Sequence, residues 1–133
     1  MKILEFNELA NELEAIRATA QLYIEGVKSV DSSKIEKAFH ADLIMSGFYE
    51  DGEYHKFDRA GFLQHIDGRR DSGIENLCYD GSVVDIYHHR KTAVVKIRIE
   101  NERVVFTDYL SLLNLEGEWK IIHKIWDTEL KTS

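Results

Sequence analysis

Two residues in the last apolar stretch of the chain, Lys124 and Trp126, have the chemistry of a binding site. They lie two positions apart in a predicted strand, so both side chains project from the same face. The indole offers a flat apolar wall against which a ring can stack. An ammonium among apolar residues needs a counter-charge or an anionic or carbonyl-bearing ligand, because an isolated buried charge is costly. The pair therefore predicts a site for a planar or aromatic ligand.

The counter-charge of Lys124 depends on how the two arms of the stretch Val104–Asp127 pair around the turn Asn114–Gly117. A simple two-residue turn places Tyr109 on the face of Lys124. A bulge at the glycine shifts the pairing by one residue and places Asp108 there instead. The sequence leaves both registers open. If Asp108 is the partner of the lysine, the pair is structural and a neutral ligand is favoured. Otherwise we expect a ligand that carries a carboxylate or a polarised carbonyl.

Histidine is the third residue type with candidate chemistry. His40 follows a predicted helix in the segment KAFHAD and could act as a base or a donor inside the fold. Alternatively, it caps the C-terminus of that helix. The six histidines show no metal-ligand spacing, and the single cysteine, Cys78, cannot form an internal disulfide or a cysteine cluster. We therefore expect neither a metal nor a cofactor.

Helical periodicity predicts three helices in the first half of the chain. A long amphipathic helix is predicted to begin at Asn7 or Asn11 and to end near Val30. Its apolar stripe consists of Leu9, Leu13, Ile16, Ala20, Tyr23 or Ile24, and Val27. Tyr23 is thus either a core aromatic or a residue that faces a pocket. Two shorter helices are predicted, the second capped by Ser33 and the third capped by Asp58 and ended by Gly68.

The remaining segments are strand-like. Leu43–Glu50 is predicted to turn at Asp51–Gly52 into Glu53–Lys56, and four long antiparallel strands follow the third helix. Helices grouped ahead of consecutive strands indicate an α+β fold in which the helices pack on the concave face of a curved antiparallel sheet.

The length, composition and net charge of the chain restrict its domain organisation and the classes of partner that it can bind. The chain has 133 residues, no proline and no repeat, so residues 1–133 are predicted to form one domain. A formal net charge of −7 argues against a nucleic-acid or anionic-membrane surface. No apolar run is long enough for a membrane span, and the N-terminus lacks the anatomy of a signal peptide. We expect a cytoplasmic, bacterial-type protein.

The second apolar face of the Val104–Asp127 hairpin predicts a homodimer, because a sheet that is apolar on both faces must be covered on both. The helices cover one face, and a second copy of the chain is expected to cover the other. Its large side chains include Phe106, Leu110, Leu112, Ile121 and Ile125.

The segments LYIEGV, KAFHAD, FTDYLSLL and GEWKIIHKIW, with the order of elements, resemble the nuclear-transport-factor-two-like fold. This group includes ketosteroid isomerases and SnoaL-like polyketide cyclases, and the likeness is closest to the bacterial "putative lumazine-binding" group. The resemblance implies a cone-shaped α+β domain with an apolar interior. The name of the group implies a flavin-precursor ligand.

The resemblance to ketosteroid isomerase carries over only in part. The tyrosine that donates to the substrate oxyanion matches Tyr23, and the closing aromatic residue matches Trp126. The second donor falls at Tyr109 or at the neighbouring Asp108. The general base falls on Gly47, which cannot move a proton, so ordinary ketosteroid isomerisation is expected to be absent.

Two function classes follow. The first is a small-molecule-binding cone without chemistry, and the missing carboxylate at Gly47 favours it. The second is a lyase, isomerase or cyclase that uses acid–base chemistry, with His40 or Asp108 as the base and Tyr23 as the donor.

Overall fold

The computed structural model describes residues 3–72 and 78–132. In these ranges three helices and six strands alternate in the predicted order, and no helix is long and apolar enough to cross a membrane. The elements are α1 (Ile3–Lys28), α2 (Ser32–Ala38), β1 (Phe39–Phe48), β2 (Tyr54–Asp58), α3 (Arg59–Ser72), β3 (Asp80–His89), β4 (Thr92–Glu100), β5 (Val104–Leu115) and β6 (Glu118–Leu130).

The strands form one curved, open sheet in the order β2-β1-β6-β5-β4-β3. The four strands β3 to β6 are consecutive and antiparallel, as predicted. The expectation of a wholly antiparallel sheet is wrong at one place, because β1 pairs with β6 in parallel. Turn signals predict the direction only of strands that a short turn joins, and β1 and β6 lie far apart in the sequence.

The core lies between the helices and one face of the sheet. α1 presents a buried stripe at helical spacing, and alternate residues of β4, β5 and β6 are buried opposite it because successive strand residues point to opposite faces. The residues involved include Ile16, Ala20, Tyr23, Val95, Ile97, Leu110, Leu112 and Ile121. We call this side of the sheet the inner face.

The β5–β6 hairpin decides which residues reach the inner face. Its turn is a simple one, with Glu116 and Gly117 both at positive φ, 55° and 88°. The register shifts farther along, where Ser111 pairs with His123 but Leu112 pairs with Ile121. The extra residue is therefore in β6, not at the glycine.

This bulge sets the register that the sequence left open. Asp108 lies opposite Trp126, and Leu110 lies opposite Lys124, so all four residues share the inner face. Tyr109 lies opposite Ile125 on the other side of the sheet, which we call the outer face. The five residues expected to form the dimer face do not lie on one face of the sheet. Leu110, Leu112 and Ile121 are buried in the core, and Phe106 lies on the inner face with them. Ile125 is exposed on the outer face.

The first strand begins at Phe39 rather than at Leu43. The helices differ from the predictions in three places. α1 begins before Asn7. α2 is capped by Asp31 rather than Ser33: its Oδ1 accepts hydrogen bonds from the Ser33 amide and hydroxyl at 3.0 and 2.6 Å. α3 begins after Asp58, which caps it as predicted, but continues through Gly68 to Ser72. One glycine costs a helix only about 1 kcal/mol, too little to end it.

Candidate functional site

A cavity of about 370 Å³ lies between α1, α3 and the inner face of the sheet. This volume is within the usual range for small-molecule sites. We call it the cone cavity. The residues that line it include Tyr23, Met45, Phe62, Phe106, Asp108, Lys124 and Trp126. Further lining residues include Tyr49, Glu50, Asp51, His55, Asn101 and Arg103.

Three polar side chains from three elements meet in the cone cavity. The Lys124 ammonium lies 3.1 Å from Oδ2 of Asp108 and donates a hydrogen bond to the Tyr23 hydroxyl at 2.5 Å. Their exposed fractions are only 5% for Lys124 and 1% for the other two residues. We call Tyr23, Asp108 and Lys124 the buried triad. Asp108 neutralises the lysine where water cannot, which is the arrangement that a buried charge requires.

Aromatic rings enclose the ammonium of Lys124. Its Nζ lies 4.9, 5.2 and 5.0 Å from the ring centroids of Tyr23, Phe62 and Trp126. The faces of aromatic rings carry negative partial charge and attract a cation at such distances. We call these three rings the aromatic enclosure. It stabilises a positive charge at this position in addition to the contribution of Asp108.

Burial shifts the titration of two members of the triad. It raises the pKa of Asp108, while the neighbouring Lys124 ammonium acts in the opposite direction. Burial also raises the pKa of Tyr23 well above its ordinary value of 10.0, and the charge of Asp108 adds to the effect. Tyr23 is therefore a neutral hydroxyl near pH 7 and can donate a hydrogen bond.

Two buried polar atoms of this site have no hydrogen-bond partner within the described part of the chain. They are Oδ1 of Asp108, an acceptor, and Nε1 of Trp126, a donor. Both residues line the cone cavity and lie opposite each other on β5 and β6. Because a buried polar atom without a partner costs free energy, the two atoms mark where a ligand with a matching donor and acceptor gains affinity.

Comparison with known proteins places this site in a family. Residues 11–127 match the model of the family described as "Putative lumazine-binding". The chain belongs to this family. A curated relative, "Aldolase FrzH" from Cladobotryum sp, is 28% identical over 119 residues, which cover 88% of this chain and 91% of the relative.

Solved structures of other proteins share the fold. An NTF2-like protein of unknown function from Shewanella baltica OS155 has a TM-score of 0.75 and 23% identity, covering 93% of this chain and 97% of that one. One from Silicibacter pomeroyi DSS-3 has a TM-score of 0.76 and 20% identity, covering 92% and 98%. The predicted α+β cone of the nuclear-transport-factor-two-like type is thereby confirmed.

In this member of the lumazine-binding family, Trp126 occupies the space beside Gly47. The two residues pair across β1 and β6, and a Cβ added to Gly47 would collide with the indole ring and the carbonyl oxygen of Trp126. A carboxylate at position 47, where the resemblance to the isomerase would place the base, is therefore incompatible with the present position of Trp126.

Two of the predicted site residues lie apart from the buried triad. His40 lies in β1 and is not among the residues that line the cone cavity; its Nδ1 accepts a hydrogen bond from the Asp42 amide at 3.0 Å. Tyr109 is on the outer face, where the Lys96 ammonium lies 5.8 Å from its ring centroid. Of the six residues predicted for the site, the structure therefore brings four together in the cone cavity: Tyr23, Asp108, Lys124 and Trp126.

Sequence reasoning missed several residues of the cone cavity. Phe62, on α3, is one of them: it packs against Phe57 and forms part of the aromatic enclosure. Some of the others lie on strands or on α3, such as Met45 and His65. The rest lie on loops, among them Glu50 and Arg103, whose side chains are 3.6 Å apart. Loop residues have no periodicity that would indicate which way they face. Across residues 3–72 and 78–132, no group of three or more His, Cys, Asp or Glu residues is placed to hold a metal ion.

Proposed function

We propose that the cone cavity binds a neutral, planar small molecule whose carbonyl oxygen accepts hydrogen bonds from Lys124 and Tyr23. The observation that carries this proposal is the buried contact of 3.1 Å between Lys124 and Asp108. Because Asp108 already balances the Lys124 ammonium, a carboxylate ligand beside Lys124 would add a negative charge that this lysine does not compensate. A neutral carbonyl adds none.

The donors needed for a carbonyl are present. An ammonium has three N–H groups, and those of Lys124 have two acceptors in the described residues, Asp108 and Tyr23. The Tyr23 hydroxyl accepts from Lys124, so its own proton can be donated to a ligand. Trp126 provides a surface for ring stacking. Lumazine, after which the family is described, is a planar fused-ring dione and belongs to this ligand class.

Calorimetric titration with three probes of similar size tests the proposal. Acetophenone carries a neutral carbonyl, benzoate carries a charge, and ethylbenzene has no polar atom. We expect acetophenone to bind about tenfold more tightly than ethylbenzene, because one net hydrogen bond contributes about 0.5–1.5 kcal/mol, and benzoate to bind most weakly. Benzoate binding as tightly as acetophenone, or no binding of acetophenone, would overturn it. Lys96→Met, which removes an outer-face lysine, is the matched control and should retain full affinity.

A second candidate function is aldol-type lyase chemistry at the same site. Oδ1 of Asp108 is the observation that favours it, because this buried carboxylate oxygen lacks a partner among the described residues and faces the cone cavity. Asp108 can remove a proton while Tyr23 and Lys124 stabilise the oxyanion of an enolate. The relationship to a protein named an aldolase supports this class.

Cleavage of 4-hydroxy-4-phenyl-2-butanone tests the lyase activity. Asp108 would take the hydroxyl proton, the carbon–carbon bond would break to release benzaldehyde, and the enolate of acetone would be protonated by the same carboxyl group. We expect Asp108→Asn to lower the rate by about 10²–10⁴-fold, the usual contribution of a general base. Equal rates of benzaldehyde release by the wild type and by Asp108→Asn would exclude this role.

We also propose that the outer face of the sheet pairs with a second copy of the chain. The exposed apolar or aromatic residues on this face include Tyr87 by 65%, Val94 by 39%, Tyr109 by 41% and Ile125 by 60%. They lie as cross-strand pairs on β3 to β6, with Tyr87 opposite Val94 and Tyr109 opposite Ile125. The helices of residues 3–72 and 78–132 cover only the inner face, so a partner is proposed to remove these side chains from water.

A further inference from the structure

Lys124 is the one lysine among the described residues that line the cone cavity. An amine held beside a bound carbonyl can do more than donate a hydrogen bond, since it can also attack the carbonyl carbon. We propose that Lys124 forms a Schiff base with an aldehyde or ketone in the cone cavity. This inference rests on the proposed function, because the carbonyl must first be bound there.

The buried triad contains the groups that the reaction needs. Oδ2 of Asp108, 3.1 Å from the ammonium, takes one proton from it. The resulting amine attacks the carbonyl carbon, a C–N bond forms, and the electrons of the C=O π bond move to oxygen. The Tyr23 hydroxyl, 2.5 Å from Nζ, passes its proton to that oxygen and receives one from the nitrogen, which gives a neutral carbinolamine.

The second half of the reaction returns the proton held by Asp108. Its carboxyl group protonates the carbinolamine hydroxyl, water leaves, and the nitrogen lone pair forms the C=N⁺ bond. An ammonium and a carbonyl have become an iminium and one water molecule, and Asp108 and Tyr23 are back in their initial states. No oxidant, reductant or other co-reactant is required.

The electrostatics of the site suit the product as well as the reactant. The ammonium and the iminium carry the same charge at the same nitrogen, so the reaction creates no additional buried charge. Asp108 remains the counter-ion, and the aromatic enclosure, 4.9 to 5.2 Å from Nζ, stabilises either cation. A buried site that stabilises the reactant cation therefore stabilises the product cation as well.

Lys96 provides a matched comparison. Its ammonium also lies near an aromatic ring, 5.8 Å from the centroid of Tyr109, but on the outer face and away from the cone cavity. Both residues are strand lysines beside a tyrosine. If Lys124 reacts faster than Lys96, the difference is therefore caused by the cone cavity and Asp108 rather than by contact with an aromatic ring.

Reductive trapping tests the inference. The full chain is incubated with benzaldehyde and cyanoborohydride, which reduces an imine to a stable benzylamine, and peptide mass mapping locates the benzyl group. We expect one benzyl group per chain at Lys124, introduced about tenfold faster than at Lys96, because the residues around Lys124 supply the proton transfers. Lys124→Arg should abolish the fast labelling while keeping the charge opposite Asp108, and Lys96→Arg should leave it unchanged.

The outcomes separate the two proposals. Labelling that is slow and spread evenly over the lysines, in a protein that still binds acetophenone by calorimetry, would overturn the Schiff base and leave the binding proposal intact. Loss of acetophenone binding as well would overturn both. Because the decisive comparison is made within the wild-type chain, the result does not depend on whether a variant folds.

Discussion

At the scale of single residues, Asp108 and Lys124 depend on each other. Both are buried in the cone cavity, and each is the nearest opposite charge of the other at 3.1 Å. A buried pair of this kind adds little to stability compared with an apolar pair of the same size, but removal of one partner leaves an uncompensated charge. The effects of substitution at these two positions should therefore not be additive.

Lys124→Met is expected to lower the free energy of unfolding by about 3–5 kcal/mol at pH 7, because Asp108 would then be buried without a partner. Its pKa, already raised by burial, would rise further without the lysine. The folded variant then holds a proton that the unfolded chain releases above its ordinary pKa of 3.8, so stability falls as pH rises through this range and recovers as pH falls. Urea denaturation at several pH values measures this.

The double variant Lys124→Met with Asp108→Leu is the control for that experiment. It removes both charges, so it should recover most of the lost stability and show no comparable pH dependence. A double variant as unstable as Lys124→Met, or a single variant as stable as the wild type, would contradict the account of a coupled buried pair.

Tyr23→Phe is expected to weaken the dependence of stability on alkaline pH. Burial raises the pKa of Tyr23 well above 10.0, so above that pH the folded protein keeps a proton that the unfolded chain loses. Stability therefore falls as pH rises in the wild type, and this contribution is absent from the variant. Thermal melting between neutral and strongly alkaline pH measures the difference, with the exposed Tyr54→Phe as control. Identical alkaline profiles of Tyr23→Phe and wild type would contradict the burial of this hydroxyl.

At the scale of secondary-structure elements, the bulge in β6 determines the site. Ser111 and Leu112 are neighbours on β5, but their partners on β6, His123 and Ile121, are separated by one extra residue. This extra residue turns Asp108 inward and Tyr109 outward. The sequence predicted that one of these two residues faces Lys124 but could not decide between them. The bulge lies in a strand-like segment, residues 119–126, that contains no glycine and no turn residues, so no local signal marks it.

Gly47→Ala is expected to destabilise the protein by about 1–3 kcal/mol and to weaken acetophenone binding, because the added methyl group forces Trp126 out of its position. Denaturant titration and calorimetry measure the two effects. Gly68→Ala is the control: nothing lies within 4 Å of its added Cβ in helix α3, so this variant should gain about 0.5–1 kcal/mol. Unchanged stability and affinity in Gly47→Ala would show that the contact with Trp126 does not position the indole.

At the scale of the whole molecule, the order of elements was predictable because periodicity and turn residues mark each helix and strand. The resemblance carried by segments such as KAFHAD then indicated the cone. Two kinds of feature could not be predicted. The parallel pairing of β1 with β6 joins strands that no short turn connects, and loop residues such as Glu50 and Arg103 reach the cavity only once the fold is complete.

The outer face gives a prediction about assembly. Light scattering of the wild type at micromolar concentration should give twice the chain mass of 15.5 kDa. Ile125→Asp should give a monomer, because a charge would replace a side chain whose burial contributes about 1.5–3 kcal/mol. Leu9→Asp, on α1 and away from the outer face, replaces a similarly exposed leucine and should remain dimeric. A wild-type mass near 15.5 kDa would contradict the dimer.

The carbon-13 resonance of carbonyl-labelled acetophenone, recorded when the cone cavity is saturated, tests the central claim most directly. Hydrogen bonds from Lys124 and Tyr23 withdraw electron density from the carbonyl, so we expect a downfield shift relative to the free probe in water. The double variant Lys124→Met with Asp108→Leu should bind the ring with a smaller downfield shift, because only Tyr23 can still donate to the carbonyl oxygen. A bound probe whose resonance is unchanged, or is shifted equally in the double variant, would contradict the claim that the buried triad contacts the ligand's carbonyl group.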